Sequence, residues 1–347
     1  MGTMANVGRF LRTLALFGAV AFGFGLLPNQ ASPLVRGGNV TFIADGNPAD
    51  PPRIVGDFNG WEGGRMTPSA DGRTYTLQVA LEPAARIEYL VAYRDRFVLD
   101  PGNPLTVPAP AGPPRSELRM PDYVSPPPLA EARAHGSVDD LPFVSRTGDR
   151  RRLRVYTPAS PFRAAVTVYM YDGDIFVGPL GVPSMLDSLI EHAHMPPAVV
   201  VFIDAVDRHD DFEPGAALRA ILLDEIVPEI ERRYAGARAH RAMIGLSRST
   251  VGALDACVRT PVAFDACALV APAVPRRLFD RLAPPSGAPK FIIETGTYDI
   301  PLVDDARALR DELMRHGASV EYHESPEGHN HTAFRARLPS VLRTLFP

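Results

Sequence analysis

The sequence predicts an α/β fold: a doubly wound, mostly parallel sheet preceded by a small Ig-like β-sandwich. Short apolar runs without alternation recur in the second half, at residues 166–171, 199–203, 242–246, 266–270 and 291–295. Runs of that kind suit strands covered on both faces, hence parallel pairing. Helical stripes lie between them. Leu218, Leu222, Ile226, Ile230 and Tyr234 recur at every fourth residue, and Ala306, Leu309 and Leu313 precede Gly317 at a C-cap position. The first third differs: Tyr75, Leu77, Val79 and Leu81 alternate with polar neighbours, as do Ile87, Tyr89, Val91 and Tyr93, the period of half-buried strands.

Taken in order, residues 1–31 read as a signal peptide. Arg9 and Arg12 precede an apolar stretch over residues 14–27 that Pro28 closes, shorter than a bilayer-spanning helix of about 20 residues. The cut is expected near Ala31, with an uncleaved anchor as the alternative. Residues 38–106 form the sandwich, with turns at Asn47-Pro48 and Asp71-Gly72. Residues 107–137, within a proline-rich stretch, read as a semi-rigid linker. The α/β domain takes residues 138–347, with residues 320–322 as an edge strand and a kink expected at Pro228.

A net charge of −4 with 46% hydrophobic and 22% charged residues gives no electrostatic footprint for nucleic acid or an anionic membrane. The sequence leaves the oligomeric state open. An exported chain, periplasmic or secreted, is expected to have no stable membrane association once the signal is removed. Export also permits a disulfide. Cys257 falls on a helix and Cys267 in a strand, however, and buried free thiols are the expected state.

The pentapeptide Gly245-Leu246-Ser247-Arg248-Ser249 carries the chemistry. It follows an apolar run and leads into a small-residue helix, the setting that lifts a serine hydroxyl above a sheet. Ser247 is the candidate nucleophile, and the Arg248 N–H one candidate oxyanion donor. Asp299, in the Gly296-Thr297-Tyr298-Asp299 turn after a strand, is the candidate acid; Asp304 and Asp305 fit a helix N-terminus better. His329, after Gly328, is the candidate base, ahead of His331 and His323. The N–H of Asp174, in Tyr171-Asp172-Gly173-Asp174, is the second oxyanion candidate, against a simple Asp-Gly turn. Serine, acid, histidine is the chain order of α/β-hydrolases. Such chemistry requires neither metal nor cofactor. Asp204, Asp207, His209, Asp210 and Asp211 lack metal-ligand spacing and read as a solvated or ion-paired loop. Ser249 departs from the glycine usual at that position.

These residues, with Asp224-Glu225-Ile226-Val227-Pro228, resemble the enterochelin-esterase-like branch of the esterase D superfamily. The resemblance implies an α/β-hydrolase fold, a triad at Ser247, Asp299 and His329, and an oxyanion hole at Arg248 and Asp174. It also implies a small-molecule or glycan ester as substrate. Gly56-Asp57-Phe58-Asn59-Gly60-Trp61, with Asp100-Pro101-Gly102-Asn103-Pro104, is similar to the early-set module of glycogen-branching enzymes and of these esterases. Trp61, the only tryptophan, is expected to be structural there, with glycan stacking as the alternative. The expected activity is exported serine esterase, hydrolysing a siderophore or carbohydrate-linked ester. The alternatives are a hydrolase-fold binding protein and an acyltransferase.

Overall fold

The computed structural model describes residues 31–109, 112–159, 166–215, 217–234, 240–281, 287 and 289–346. Apart from Ala31, the expected signal peptide lies outside the described residues. The chain divides into two compact units. The first takes the chain up to Ser125 together with Gly296–Ile300 and Pro326–His331; the second takes Pro126–Thr295, Pro301–Ser325 and the chain from Thr332.

The first unit holds strands β1 (Leu34–Arg36), β2 (Asn39–Asp45), β3 (Arg53–Gly56), β4 (Gly64–Arg65), β5 (Thr67–Pro68), β6 (Thr74–Ala80), β7 (Arg86–Ala92), β8 (Phe97–Val98), β9 (Thr106–Val107) and β10 (Arg115–Arg119). One antiparallel sheet runs β1-β2-β6-β5. In the other, β7 is central, antiparallel to β3 and β10. Val40 and Phe42 of β2, Tyr75 of β6, Ile54 of β3, Ile87 and Tyr89 of β7 and Leu118 of β10 form a common core. Phe42 meets the Tyr89 ring edge-on at 4.8 Å.

Two expectations change here. Strand β10 lies inside the stretch read as a linker, with Ser116, Glu117 and Leu118 buried against β7. It escapes an apolar-pattern reading because ion pairs, not apolar side chains, fill one of its faces. β7 is buried at all seven positions rather than at alternate ones: its second face carries Arg86 and Glu88, ion-paired with each other and with Glu117 and Arg115, and then Leu90 and Ala92, which cluster with Val55.

The second unit is built on β11 (Ser137–Val144), β12 (Arg150–Thr157), β13 (Val166–Tyr171), β14 (Ala198–Ile203), β15 (His240–Leu246), β16 (Ala266–Val270), β17 (Lys290–Tyr298) and β18 (Val320–Gly328). The order is β11-β12-β14-β13-β15-β16-β17-β18. Pairing is parallel from β14 through β13, β15 and β16 to β17, and antiparallel at β12 and β11. Helices Val182–Glu191 and His331–Thr344 bury Leu186, Leu189, Phe334 and Leu338 in one core. Helices Ser249–Arg259 and Leu302–Arg315 bury Leu254, Leu309 and Leu313 in another. Each core takes alternate residues of the same strands (Val168 and Met170 against Tyr169 and Tyr171), so the sheet is covered on both sides.

The expected kink at Pro228 takes the form of a π-helical turn, Leu222–Ile226, between helices Ala217–Ile221 and Val227–Arg233. Proline lacks the N–H for an α-type bond and its ring crowds the carbonyl four residues back, and a wider turn relieves both. Cys257 and Cys267 are joined as a disulfide, Cα–Cα 6.4 Å, rather than standing as free thiols. The helix after β15 packs its cysteine directly over β16, a proximity that hydropathy does not encode.

Candidate active site

Ser247 follows β15 and opens the helix Ser249–Arg259. Its φ of 54° is left-handed, a conformation non-glycine residues adopt only when the surroundings impose it. The surroundings do so. Ser247 N–H donates to the Val270 carbonyl at 2.8 Å, while its own carbonyl accepts from the Thr250 N–H at 3.1 Å and from the Thr250 hydroxyl. Gly245 has no alternative: a Cβ there would stand 2.7 Å from the Ser249 carbonyl oxygen and the Thr250 Cα. Ser249, by contrast, has a use for its side chain. Its Oγ accepts from the Leu246 N–H at 2.8 Å and donates to the Leu246 carbonyl at 3.0 Å, closing the elbow across Ser247. The hydroxymethyl where glycine is usual therefore braces the turn.

Strand β13 is the parallel neighbour of β15, with Met170 opposite Ile244, so the loops after both strands leave adjacent strand ends. Asp172, at φ 60°, turns the chain into helix Gly173–Val177, whose first turn contains Asp174. The earliest N–H groups of a helix have no intrahelical acceptor, which is the requirement for an oxyanion donor. Gly173 is forced by close approach, its virtual Cβ falling 2.7 Å from the Phe202 carbonyl carbon and 2.8 Å from the Ile203 nitrogen. Asp172 is fully buried. Burial pushes its carboxyl above the ordinary value, while a two-point pair with Arg208 (2.7 and 2.8 Å) pulls it back. Arg208 begins a short helix, Arg208–Asp211, capped by the Asp207 side chain, and its carbonyl accepts from Arg248 Nε at 3.0 Å. The acidic loop is thus ion-paired: Asp211 and Asp149 hold Arg151, and Asp204 holds Arg154. Sequence reading missed the Asp172–Arg208 pair, which ties the loop bearing Asp174 to the short helix Arg208–Asp211, whose Arg208 carbonyl in turn accepts from Arg248.

Removing Arg208 strands a buried carboxylate. Arg208→Ala is expected to cost about 2–4 kcal/mol, below the full value for a buried pair because the guanidinium is 35% exposed. Urea unfolding measures this, and Arg208→Lys should recover less than half, since an ammonium cannot make the two-point contact.

In the first unit, Asp299 lies one residue past β17 and is 1% exposed; His329 lies one residue past β18. His329 Nδ1 and Asp299 Oδ1 are 2.8 Å apart. The structure thus brings together the expected base and acid, and places Ser247, Arg248 and Asp174 in the second unit. His323 is exposed and pairs with Glu321, while His331 opens a helix. Asp304 and Asp305 lie in the first turn of Leu302–Arg315.

Gly328, His329 and Asn330 form a tight turn, the Asn330 N–H donating to the Gly328 carbonyl at 3.0 Å. Asp57 packs against it. A Cβ on Gly328 would fall inside the Asp57 side chain, and Asn330 Nδ2 donates to Asp57 Oδ2 at 2.9 Å. Asp57 also accepts from the Glu88 N–H at 2.8 Å and from Trp61 Nε1 at 3.0 Å. Trp61 is itself covered by the Arg115 guanidinium, 4.6 Å from the ring centroid. Asp57 stood in the sequence only as part of a turn motif. Among the described residues there is no group of three or more histidine, cysteine or acidic side chains placed to hold a metal.

Residues 144–297 match the esterase family ("Putative esterase"). That match places an esterase-family segment on an α/β-hydrolase-like sheet. The chain is similar to the enterobactin esterase from Shigella flexneri, solved in the presence of enterobactin (18% identity, TM-score 0.69, covering 88% of this chain and 92% of that one). It is similar also to the ferric enterobactin esterase from Salmonella typhimurium (18%, 0.69, 89% and 94%). A ferulic acid esterase is similar over a shorter span (16%, 0.51, 61% and 98%). No curated protein matches the chain.

Proposed function

We propose that the chain is an exported serine esterase that cleaves a small-molecule ester through an acyl-enzyme. The observation that carries the reading is the 2.8 Å contact between a half-buried His329 and a fully buried Asp299. A carboxylate held at Nδ1 fixes the tautomer that leaves Nε2 as the acceptor and stabilises the imidazolium formed later. In the first half-reaction Ser247 Oγ attacks the ester carbonyl and its proton passes to His329 Nε2. The oxyanion develops against the N–H groups of Arg248 and Asp174, each at a helix N-terminus. Collapse expels the alcohol, which takes the proton from His329. Water then repeats the sequence on the acyl-serine and releases the acid.

The substrate class we favour is an aryl-acylated serine ester of the catecholate siderophore type, on the fold shared with the enterobactin esterases; a carbohydrate-linked ester is the second class. The first unit is read as an early-set module in which Trp61 serves the turn, its Nε1 committed to Asp57. Export rests on the sequence of residues 1–31. Among the described residues no helix is long and apolar enough to cross a membrane.

The test is a fluorophosphonate probe with a panel of p-nitrophenyl esters, a catecholate siderophore and acetylated sugars. Stoichiometric labelling that maps to Ser247, with turnover of at least one ester, is expected. Absence of labelling in the folded protein overturns the serine mechanism, and turnover that rises with added alcohol assigns acyl transfer instead of hydrolysis.

A further inference from the structure

We propose that Asp57 is a positioning residue for His329, holding the base in register by clamping the residues on both sides of it. The proposal rests on the reading of His329 as the base and extends it to a residue some 270 positions away.

Three observations carry it. First, His329 is the central residue of a three-residue turn, and Asp57 engages each flank: it occupies the space a side chain on residue 328 would need, and it accepts a hydrogen bond from Asn330. Second, Asp57 is itself held from several sides. It is 1% exposed, its two oxygens accept from Trp61 Nε1, the Glu88 N–H and Asn330 Nδ2, and its own turn is tied by Asn59. Asn59 Oδ1 accepts from the Gly56 N–H at 3.0 Å and Nδ2 donates to the Ile54 carbonyl at 2.9 Å. Third, the other end of Asn330 is held as well, its Oδ1 accepting from Arg86 Nη1 at 3.3 Å, while Arg86 is fixed by Glu88 and Glu117. A base whose neighbours are fixed from two sides has little freedom to leave the line of proton transfer, and misplacement by about 1 Å costs about 10²-fold in rate.

The clamp also carries a titration. Burial first, and then repulsion by Glu88, push the Asp57 carboxyl up to about 7, against the Glu88 backbone bond, the Trp61 bond and the Arg115 charge. The charged groups around it are Glu88 and Arg86 from β7, Arg115 and Glu117 from β10, and His329 in the turn it grips. All three partners of the Asp57 oxygens are N–H donors, so a proton on either oxygen displaces one of them. Below about pH 7 the grip on Asn330 or its supports weakens. The value of kcat should therefore decline through that range as the clamp loosens.

The experiment compares wild type, Asp57→Asn and Asn330→Ala on a p-nitrophenyl ester from pH 5 to 9, with fluorophosphonate labelling of each. Expected are kcat values lowered about 10- to 100-fold with KM changed less than about threefold. The decline near pH 7 should be lost in Asp57→Asn, while Ser247 still labels, more slowly. A kcat equal to wild type in both variants, or a decline near pH 7 that persists in Asp57→Asn, overturns the clamp. If Asp57→Asn does not fold, Asn330→Ala decides by its kcat alone. An unlabelled, inactive wild type would instead overturn the triad reading, so the two failures are distinct.

Discussion

Ser247→Ala is expected to lower kcat for ester hydrolysis by at least about 10³-fold and to abolish fluorophosphonate labelling, with a denaturation midpoint close to wild type. The two halves of that expectation have different origins. The rate falls because no other hydroxyl is placed on the elbow to form the acyl-enzyme: the Ser249 and Thr250 hydroxyls are both committed to backbone carbonyls, those of Leu246 and Ser247. Stability persists because the bonds to Val270 and Thr250 that hold residue 247 at φ 54° are made by its own N–H and carbonyl, and alanine keeps both groups. A stopped-assay measurement of kcat beside a urea titration checks both. A variant that loses activity and stability in parallel would mean that the hydroxyl is a structural strut and not the nucleophile.

Gly328→Ala is expected to be the most damaging single methyl that can be added near the site. The obstruction is Asp57, and Asp57 cannot swing aside, because its neighbours Trp61, Glu88 and Asn330 hold both carboxylate oxygens. Overpacking of about 1–3 kcal/mol is joined by the loss of at least one buried hydrogen bond to a charged group, about 1.5–3 kcal/mol more. Stability should fall by about 3 kcal/mol or more, and kcat by about 10²-fold as the turn shifts His329. Combining it with Asp57→Ala supplies the check. If the clash is the cause, the double variant is less destabilised than the sum of the singles, because the second change opens the space the first requires. Additive costs would place the damage elsewhere.

Gly328 also illustrates what a sequence can and cannot convey. Its sequence meaning is loop freedom next to a histidine; its structural meaning is the approach of a side chain from position 57, which no local pattern encodes. The parallel strands, the tight turn at Ser247 and the placing of Asp299 and His329 just past strands were legible because each is a local signal, an apolar run or a glycine-flanked turn. Strand β10 was not, since Arg-Ser-Glu-Leu-Arg has one apolar residue and is buried through ion pairs whose partners lie on β7. The disulfide escaped for a related reason: two small buried residues ten apart look alike bonded or free. Asp172 and Arg208 were each visible, but their pairing needs the register of two loops 36 residues apart.

Strand β11 is the first in the order of its sheet and spans eight residues, long enough to recruit a strand from a second molecule. It carries Asp139 and Asp140 in succession, both exposed, the second paired with Arg152 of the neighbouring strand, and Pro142 two positions on, so one amide is missing. Any incoming copy of the same segment would present the same negative charges to them. That border is consequently insulated against lateral stacking of sheets, and a concentrated solution of this protein should resist fibril growth from it far better than a Pro142→Val, Asp140→Thr version would.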